Sequence, residues 1–396
     1  MPHHRRNLYV LSATIFFASV SWNQVFPFLP LFLKDIGAGR HLLQWSGAVY
    51  AIACLAAIVT LPFWGKMGDK YGQKPMTIRA GVCLTLVYFG MSLCRNPWQL
   101  LVLRFLNGAL TGFIPGSVAL IATNTPKELA PRAVATAQTA SAAGQIVGPA
   151  IGALLATAIG YRGSMVVSGF AVMVSTLLVW LLVKVKYKPE PAGQTSLLED
   201  FRISLRSPVL ASVMLTLLLY SAFLSSIQPF LTLHLGRMSG SRAIGLAGVV
   251  FALPPIAFLL SAYPWTRFGE RRGHHRSIYI GLAGAAVCAS VLSMMRNVWA
   301  FSIVYLVAGV FLAALSPSSG AIVCGKVEES FRGRAYGMLY SAGTLGAFVA
   351  PLAASHMAVA YGIPSIFVAI SGLFVAGAAV FRVLVGKWGR VARYEV

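Results

Sequence analysis

The sequence predicts an all-α membrane protein of twelve transmembrane helices, arranged as two parallel six-helix halves. Long apolar runs, a one-sided spread of basic residues and an internal repeat carry that prediction. Of 396 residues, 57% are hydrophobic and 11% charged, where a soluble domain is about one-quarter charged. The apolar residues fall in runs able to cross a bilayer, which takes about 20 residues of helix. Twelve runs are read, at 8–33, 44–64, 76–94, 98–121, 133–159, 163–183, 208–235, 243–264, 277–295, 298–322, 335–359 and 363–385. They are apolar around most of the helix and do not alternate, so they are helices and not barrel strands. The first follows His3, His4, Arg5 and Arg6. It is longer than the apolar region of a signal peptide and lacks a small-residue cleavage site, so it is read as a span.

The net charge is +22. With the N-terminus inside, 24 of the 32 Lys/Arg lie on the inner side of the twelve runs. Seven lie outside (Lys34, Arg40, Arg95, Arg162, Arg237, Arg242 and Arg296), and Arg104 lies within a span. This bias predicts both termini in the cytoplasm. The charge is therefore topological and suits an anionic inner leaflet, not nucleic acid. Cys54, Cys83, Cys94, Cys288 and Cys324 form no CxxC pair and read as packing residues. No phosphate-cradling loop, metal-ligand cluster or G-x-S-x-G elbow is present, so neither an enzyme nor a cofactor is expected.

Shifted by about 201 residues, the chain meets itself. "VFPFLPLFLKD" (25–35) falls on "IQPFLTLHLGR" (227–237), "FWGKMGDKYG" (63–72) on "PWTRFGERRG" (264–273), and "RNPWQL" (95–100) on "RNVWAF" (296–301). The predicted organisation is an N-terminal half, 1–183, a cytoplasmic linker, 184–207, with a short amphipathic stretch late in it, and a C-terminal half, 208–396. Parallel repeats of six spans suit a transporter whose halves rock about a mid-membrane binding site.

The loop "GKMGDKYGQK" (65–74) sets Asp69 among bases and glycines. Gly65 and Gly68 permit close approach of helix ends, and Gly72 a tight reversal. Asp69 suits a helix N-terminus, while Lys70 and Lys74 suit exposed carbonyls at helix C-termini. Together they read as a conformational latch or as an ordinary basic turn. The echo at 266–273, with Glu270 as its acid, favours the latch. The loop resembles the G-x-x-x-D-[RK]-x-G-[RK]-[RK] loop of the major facilitator superfamily, with Gln73 where a base is usual. "LRFLNGALTG" (103–112) resembles that superfamily's fourth-span R-x-x-x-G pattern, through Arg104 and Gly108. "AGQIVGPAIGA" (143–153) resembles its fifth-span antiporter motif, through Gly144, Gly148, Pro149 and Gly152, with Ala153 for the last glycine. Read directly, Ala140, Gly144, Gly148 and Gly152 form a small-residue strip for close helix packing, bent at Pro149. The resemblance covers the whole chain and points to the twelve-span drug:proton antiporter branch, among bacterial multidrug exporters. It implies efflux driven by proton entry across a bacterial cytoplasmic membrane, and Asp69 as the latch.

No acid falls in the middle of a span. Several drug antiporters keep one there, so a cationic cargo is less favoured. Asp35 ends the first span, and Arg104 lies inside the fourth. An Asp near Arg is held ionised, and one losing that partner takes a proton more readily. Asp35 and Arg104 thus form a candidate proton-coupling pair, although Asp35 reads equally as a solvated helix end beside Lys34. His234 and His356 rank next. The amides Asn23, Gln24, Asn107, Gln138 and Gln228, with Trp22, Phe26, Tyr220 and Phe230, are candidate cavity lining for bulky amphiphiles. Each amide alone also reads as an interhelical hydrogen bond. The expected function is proton-coupled export of lipophilic or amphiphilic small molecules. Export of a specific metabolite such as a siderophore, lipid transport, and a non-transporting receptor or scaffold are the rivals. The expected partners are a small-molecule substrate, protons and membrane lipids, and the expected state is a monomer.

Overall fold

A computed structural model describes residues 3–126, 129–184, 202, 204–240, 243–327 and 329–391, with the side chains of residues 3, 4, 69, 131, 243, 329, 330, 332, 333 and 389–391 outside the description. The predicted amphipathic stretch of the linker lies almost wholly outside the described residues. The helices are α1 (His3–Asn23), α2 (Leu29–Asp35), α3 (Leu42–Tyr71), α4 (Gln73–Ser92), α5 (Pro97–Ala109), α6 (Phe113–Asn124) and α7 (Ala130–Leu182). They continue as α8 (Pro208–Ser239), α9 (Ala243–Arg272), α10 (His274–Met294), α11 (Val298–Leu312), α12 (Leu315–Lys326), α13 (Glu329–Tyr361) and α14 (Pro364–Val391).

Among the described residues, nine helical stretches are long and apolar enough to cross a membrane. One of them, Arg132–Leu182, has 51 residues and holds two spans. It reverses at Gly160, whose φ of 78° and ψ of 170° break the helix. With α1–α2 and α4, these stretches account for the twelve predicted spans. Two of those spans are not continuous, which the sequence reading did not anticipate. The first breaks at 24–28 and the fourth at 110–112. Pro27 and Gly112 stand in these breaks. Pro27 brings no backbone donor, and Gly112 takes a φ of 131° that an L side chain rarely adopts.

The chain forms two compact units: Met1–Gly193 with Leu231–Ala252, and Gln194–Phe230 with Leu253–Val396. In unit one the α7 glycine strip lies against α1. A Cβ on Gly144 would stand 2.6 Å from the Ser19 Cβ, and one on Gly148 would stand 2.9 Å from the Val20 carbonyl oxygen. At Gly152 it would overlap the Gln24 carbonyl. The other face of the bend meets α9, where a Cβ on Gly248 would approach the Pro149 carbonyl oxygen to 3.0 Å. In unit two Gly346 repeats the arrangement, its α-carbon facing the Leu218 carbonyl.

The repeat appears in hydrogen bonds. Asn96 caps α5 by accepting from the Gln99 N–H at 2.9 Å, and Asn297 caps α11 by accepting from Trp299 at 2.8 Å. The Trp64 indole donates to the Ala109 carbonyl at 2.7 Å, and the Trp265 indole to Val310 at 2.8 Å. Gly72 and Gly273 turn the chain with φ of 96° and 97°. Each pair is about 201 residues apart.

The strip gives a direct test. Gly152→Ala places a methyl group against fixed backbone, and overpacking of this kind costs about 1–3 kcal/mol. Gly65→Ala adds a methyl group where nothing lies within 4 Å. Thermal unfolding in detergent should show a lowered midpoint for Gly152→Ala and an unchanged or slightly raised one for Gly65→Ala. Equal midpoints for the two variants would refute the packing account.

Candidate functional site

The most distinctive polar site in unit one is built on Arg104. Helix α5 crosses α3 so closely that a Cβ on Gly108 would overlap the Ala53 carbonyl. One turn earlier on both helices, Arg104 therefore faces Val49. Its Nε donates to the Val49 carbonyl at 3.2 Å, and its Nη1 donates to Asn107 Oδ1 at 3.4 Å. Three rings surround the guanidinium: Trp22 at 5.7 Å, Phe26 at 5.9 Å and Tyr50 at 5.9 Å from their centroids. All lie within the about 6 Å at which a ring face attracts a cation. Arg104 is only 3% exposed. Its electrostatic neighbours are Tyr50, Tyr88 and Cys54, and among the described side chains none of them is a carboxylate.

The cage stands beside the break in the first span. Phe26 lies in that break and stacks on Tyr50 with centroids 5.2 Å apart. The Tyr50 hydroxyl donates to the Phe26 carbonyl at 2.9 Å, and Thr232 Oγ1 donates to the Pro27 carbonyl. At the break in the fourth span, Trp64 serves Ala109, and Arg79 Nη2 donates to the Thr111 carbonyl at 3.4 Å while lying 3.3 Å from the Trp64 ring centroid. Irregular backbone at membrane depth is tolerated where protein groups satisfy it in this way.

The predicted lining residues divide. Trp22, Phe26 and Asn107 do gather around Arg104. Gln24 is buried as an interhelical tie, its Nε2 donating to the Ser164 carbonyl at 3.0 Å and to Ser168 Oγ. Asn23 donates to Ser19 in its own helix. Gln138 is exposed on α7, while Tyr220, Gln228 and Phe230 belong to unit two. Tyr50, Tyr88 and the Val49 carbonyl were not expected. Two tyrosines inside otherwise apolar spans were the signal that could have marked them.

The other candidate coupling residues have settings of their own. Asp35 is exposed at the end of α2. His234 is buried in α8, and His356 is exposed on α13 with Nδ1 2.9 Å from the Leu352 carbonyl oxygen.

Of the loop residues, Gly72 reverses the chain and its N–H donates to the Gly68 carbonyl at 2.9 Å. The close approach expected at Gly65 is absent: Gly68, against the Gln73 side chain, is the tight position. Lys74 Nζ donates to the Trp180 and Val183 carbonyls at 2.8 and 2.6 Å, at the end of α7. Burial lowers the Lys74 pKa, and these two bonds favour its charged form against that. Lys70 Nζ lies 5.1 Å from the Tyr71 ring centroid, and Glu270 is exposed. Asp69 lies in the last turn of α3, but its side chain falls outside the described residues.

Broken spans around a buried cation, in an all-α chain of twelve spans, define a membrane transporter. The chain belongs to the Major Facilitator Superfamily, whose model matches residues 11–253 and 229–391. It is 28% identical over 379 residues to "Multidrug resistance protein MdtG" of Salmonella arizonae, covering 94% of each chain. Its fold matches the nucleoside transporter NupG with a TM-score of 0.80 at 17% identity, covering 96% of this chain and 98% of that one. It also matches a bacterial homolog of the human lysosomal transporter Spinster, in an inward-facing and occupied conformation, with a TM-score of 0.81 at 14% identity, covering 98% of both chains. These relatives are transporters and not enzymes. The chain is a multi-pass protein of a bacterial inner membrane.

The cage depends on the Tyr50 hydroxyl. Tyr50→Phe leaves the Phe26 carbonyl without its donor, and an unsatisfied buried polar group costs about 1–3 kcal/mol. Thermal unfolding should report a lowered midpoint, with Tyr9→Phe, at an exposed position, unchanged. A midpoint for Tyr50→Phe equal to wild type would show that another group serves the break.

Proposed function

We propose that this chain is a proton-coupled exporter of lipophilic or amphiphilic small molecules, working by alternating access. The Arg104 cage is the observation that carries the proposal. Aromatic faces with few directional donors suit bulky amphiphiles of varied shape. The likeness to the Salmonella multidrug resistance protein supports multidrug efflux. The antiporter-type strip on α7 supports export over uptake, because its bent, close-packed helix suits a seam that must not leak. A scaffold needs neither a buried guanidinium nor satisfied breaks in its spans.

The same guanidinium favours a second reading, in which the cargo is one anionic or zwitterionic metabolite or a lipid. Both readings share a preference for neutral or anionic amphiphiles over cations. Proton loading is assigned to Asp35, which is exposed at the end of α2, with His234 next. Asp69, Lys70, Gly72 and Glu270 are assigned to the conformational cycle, and the transporter is proposed to act as a monomer.

Proteoliposomes with a neutral lipophilic dye and an imposed pH gradient test this reading. The wild type should concentrate dye against its gradient while protons run the other way, and dye addition should shift the lumenal pH. Asp35→Asn should lose uphill movement and keep dye–dye exchange. Uphill transport by Asp35→Asn would move coupling to His234 or His356. Wild-type protein that only equilibrates the dye, without a pH change, would make it a uniporter.

A further inference from the structure

Unit two carries an open groove at the place where, in unit one, Lys74 bonds the end of α7. Between α10 and α14 lies a cleft of about 470 Å³, lined by His275, Arg276, Tyr279, Ile280, Phe381 and Arg382 among others. Its walls are largely apolar, and its charged lining, Arg276 and Arg382, is entirely basic. Tyr279 and Ile280 are 41% and 39% exposed on the outward face of α10.

More base gathers at the same end. The His275 ring lies 6.2 Å from that of Trp388, and Lys326 Nζ lies 5.1 Å from the Trp388 centroid. The Trp388 indole donates to the Pro208 carbonyl at 3.3 Å, which fixes the end of α14 to the start of α8. His275 has its pKa lowered by burial and then by the charges of Arg276, Lys326 and His274. Among the described residues no carboxylate joins that set.

The repeat explains why the groove is open. Its counterpart in unit one, about 201 residues earlier, is Lys74 facing the turn Trp180–Val183. There α7 ends, and Lys74 closes the notch by bonding two terminal carbonyls. In unit two α14 runs on to Val391, so its carbonyls at this level are spent within the helix. The shorter His275 turns to Trp388 instead. What remains is a basic mouth over an apolar wall, at the membrane end that the charge bias assigns to the cytoplasm.

We infer that this groove binds an anionic phospholipid of that leaflet, its phosphate against Arg276 and Arg382 and an acyl chain along Tyr279, Ile280 and the half-buried Val385. Anionic lipids are drawn to basic clusters at this depth, and tyrosine and tryptophan mark the interface. A free phosphate has no use for the apolar wall. A zwitterionic lipid gains less from the basic rim.

Native mass spectrometry of the full-length protein, delipidated in detergent and titrated with lipid, tests the inference. Phosphatidylglycerol should bind at lower concentration than phosphatidylcholine and raise the unfolding midpoint more. Arg276→Gln with Arg382→Gln should weaken phosphatidylglycerol by about tenfold, or 1.4 kcal/mol, and remove its preference. Ile280→Trp, which fills the groove and keeps the charges, should weaken both lipids. Glycerol phosphate without acyl chains should not compete. Undiminished phosphatidylglycerol binding in either variant, equal affinity of the wild type for the two lipids, or competition by glycerol phosphate would each overturn it. If the double variant does not fold, Ile280→Trp decides alone.

Discussion

A guanidinium buried at membrane depth is the constraint on which the architecture of unit one turns. A cation within a span is costly unless protein groups or water satisfy it. Arg104 is satisfied without a described carboxylate, by two hydrogen bonds and three aromatic rings. This holds only while α5 touches α3 at Gly108 and the first span breaks to bring Phe26 alongside. The glycine contact, the break and the cage are therefore one arrangement.

That arrangement is not repeated. The two units share helix caps, glycine turns and indole-to-carbonyl bonds at the same spacing. The positions answering to Arg104, Asn107 and Tyr50 are Tyr305, Ala308 and Phe251. The scaffold is thus duplicated and the buried cation is not. The groove between α10 and α14 shows the reverse case: the same notch is closed by Lys74 in unit one and left open in unit two, because one helix ends there and the other continues.

Much of this was legible in the sequence, and the exceptions have physical causes. The spans, the turn at Gly72, the α7 strip and the partnership of Lys74 with helix-end carbonyls follow from hydropathy, glycine chemistry and the exposure of terminal carbonyls. The breaks in two spans were hidden, since hydropathy reads side chains and a break is a backbone event. Gly112 and Pro27 mark them only once the carbonyl partners around them are known. Gln24 looked like cavity lining and proves to be an interhelical tie to Ser164 and Ser168, because an amide in an apolar run carries no mark of which neighbour it faces. Asp35 and Arg104 were paired because both lie near one membrane face; the structure shows the groups that hold Arg104, the Val49 carbonyl and Asn107, none of which the pairing foresaw.

The central proposal is that the Arg104 cage, closed around the guanidinium here, receives cargo during the transport cycle and selects it by charge. Equilibrium binding in nanodiscs, with anionic, neutral and cationic amphiphilic dyes of similar size, tests it most directly. The account predicts that wild type binds the anionic dye best, and that Arg104→Gln weakens that dye by about tenfold or more, or at least 1.4 kcal/mol, while the neutral dye changes little. Unchanged affinity of Arg104→Gln for the anionic dye, or tightest wild-type binding of the cation, would contradict it.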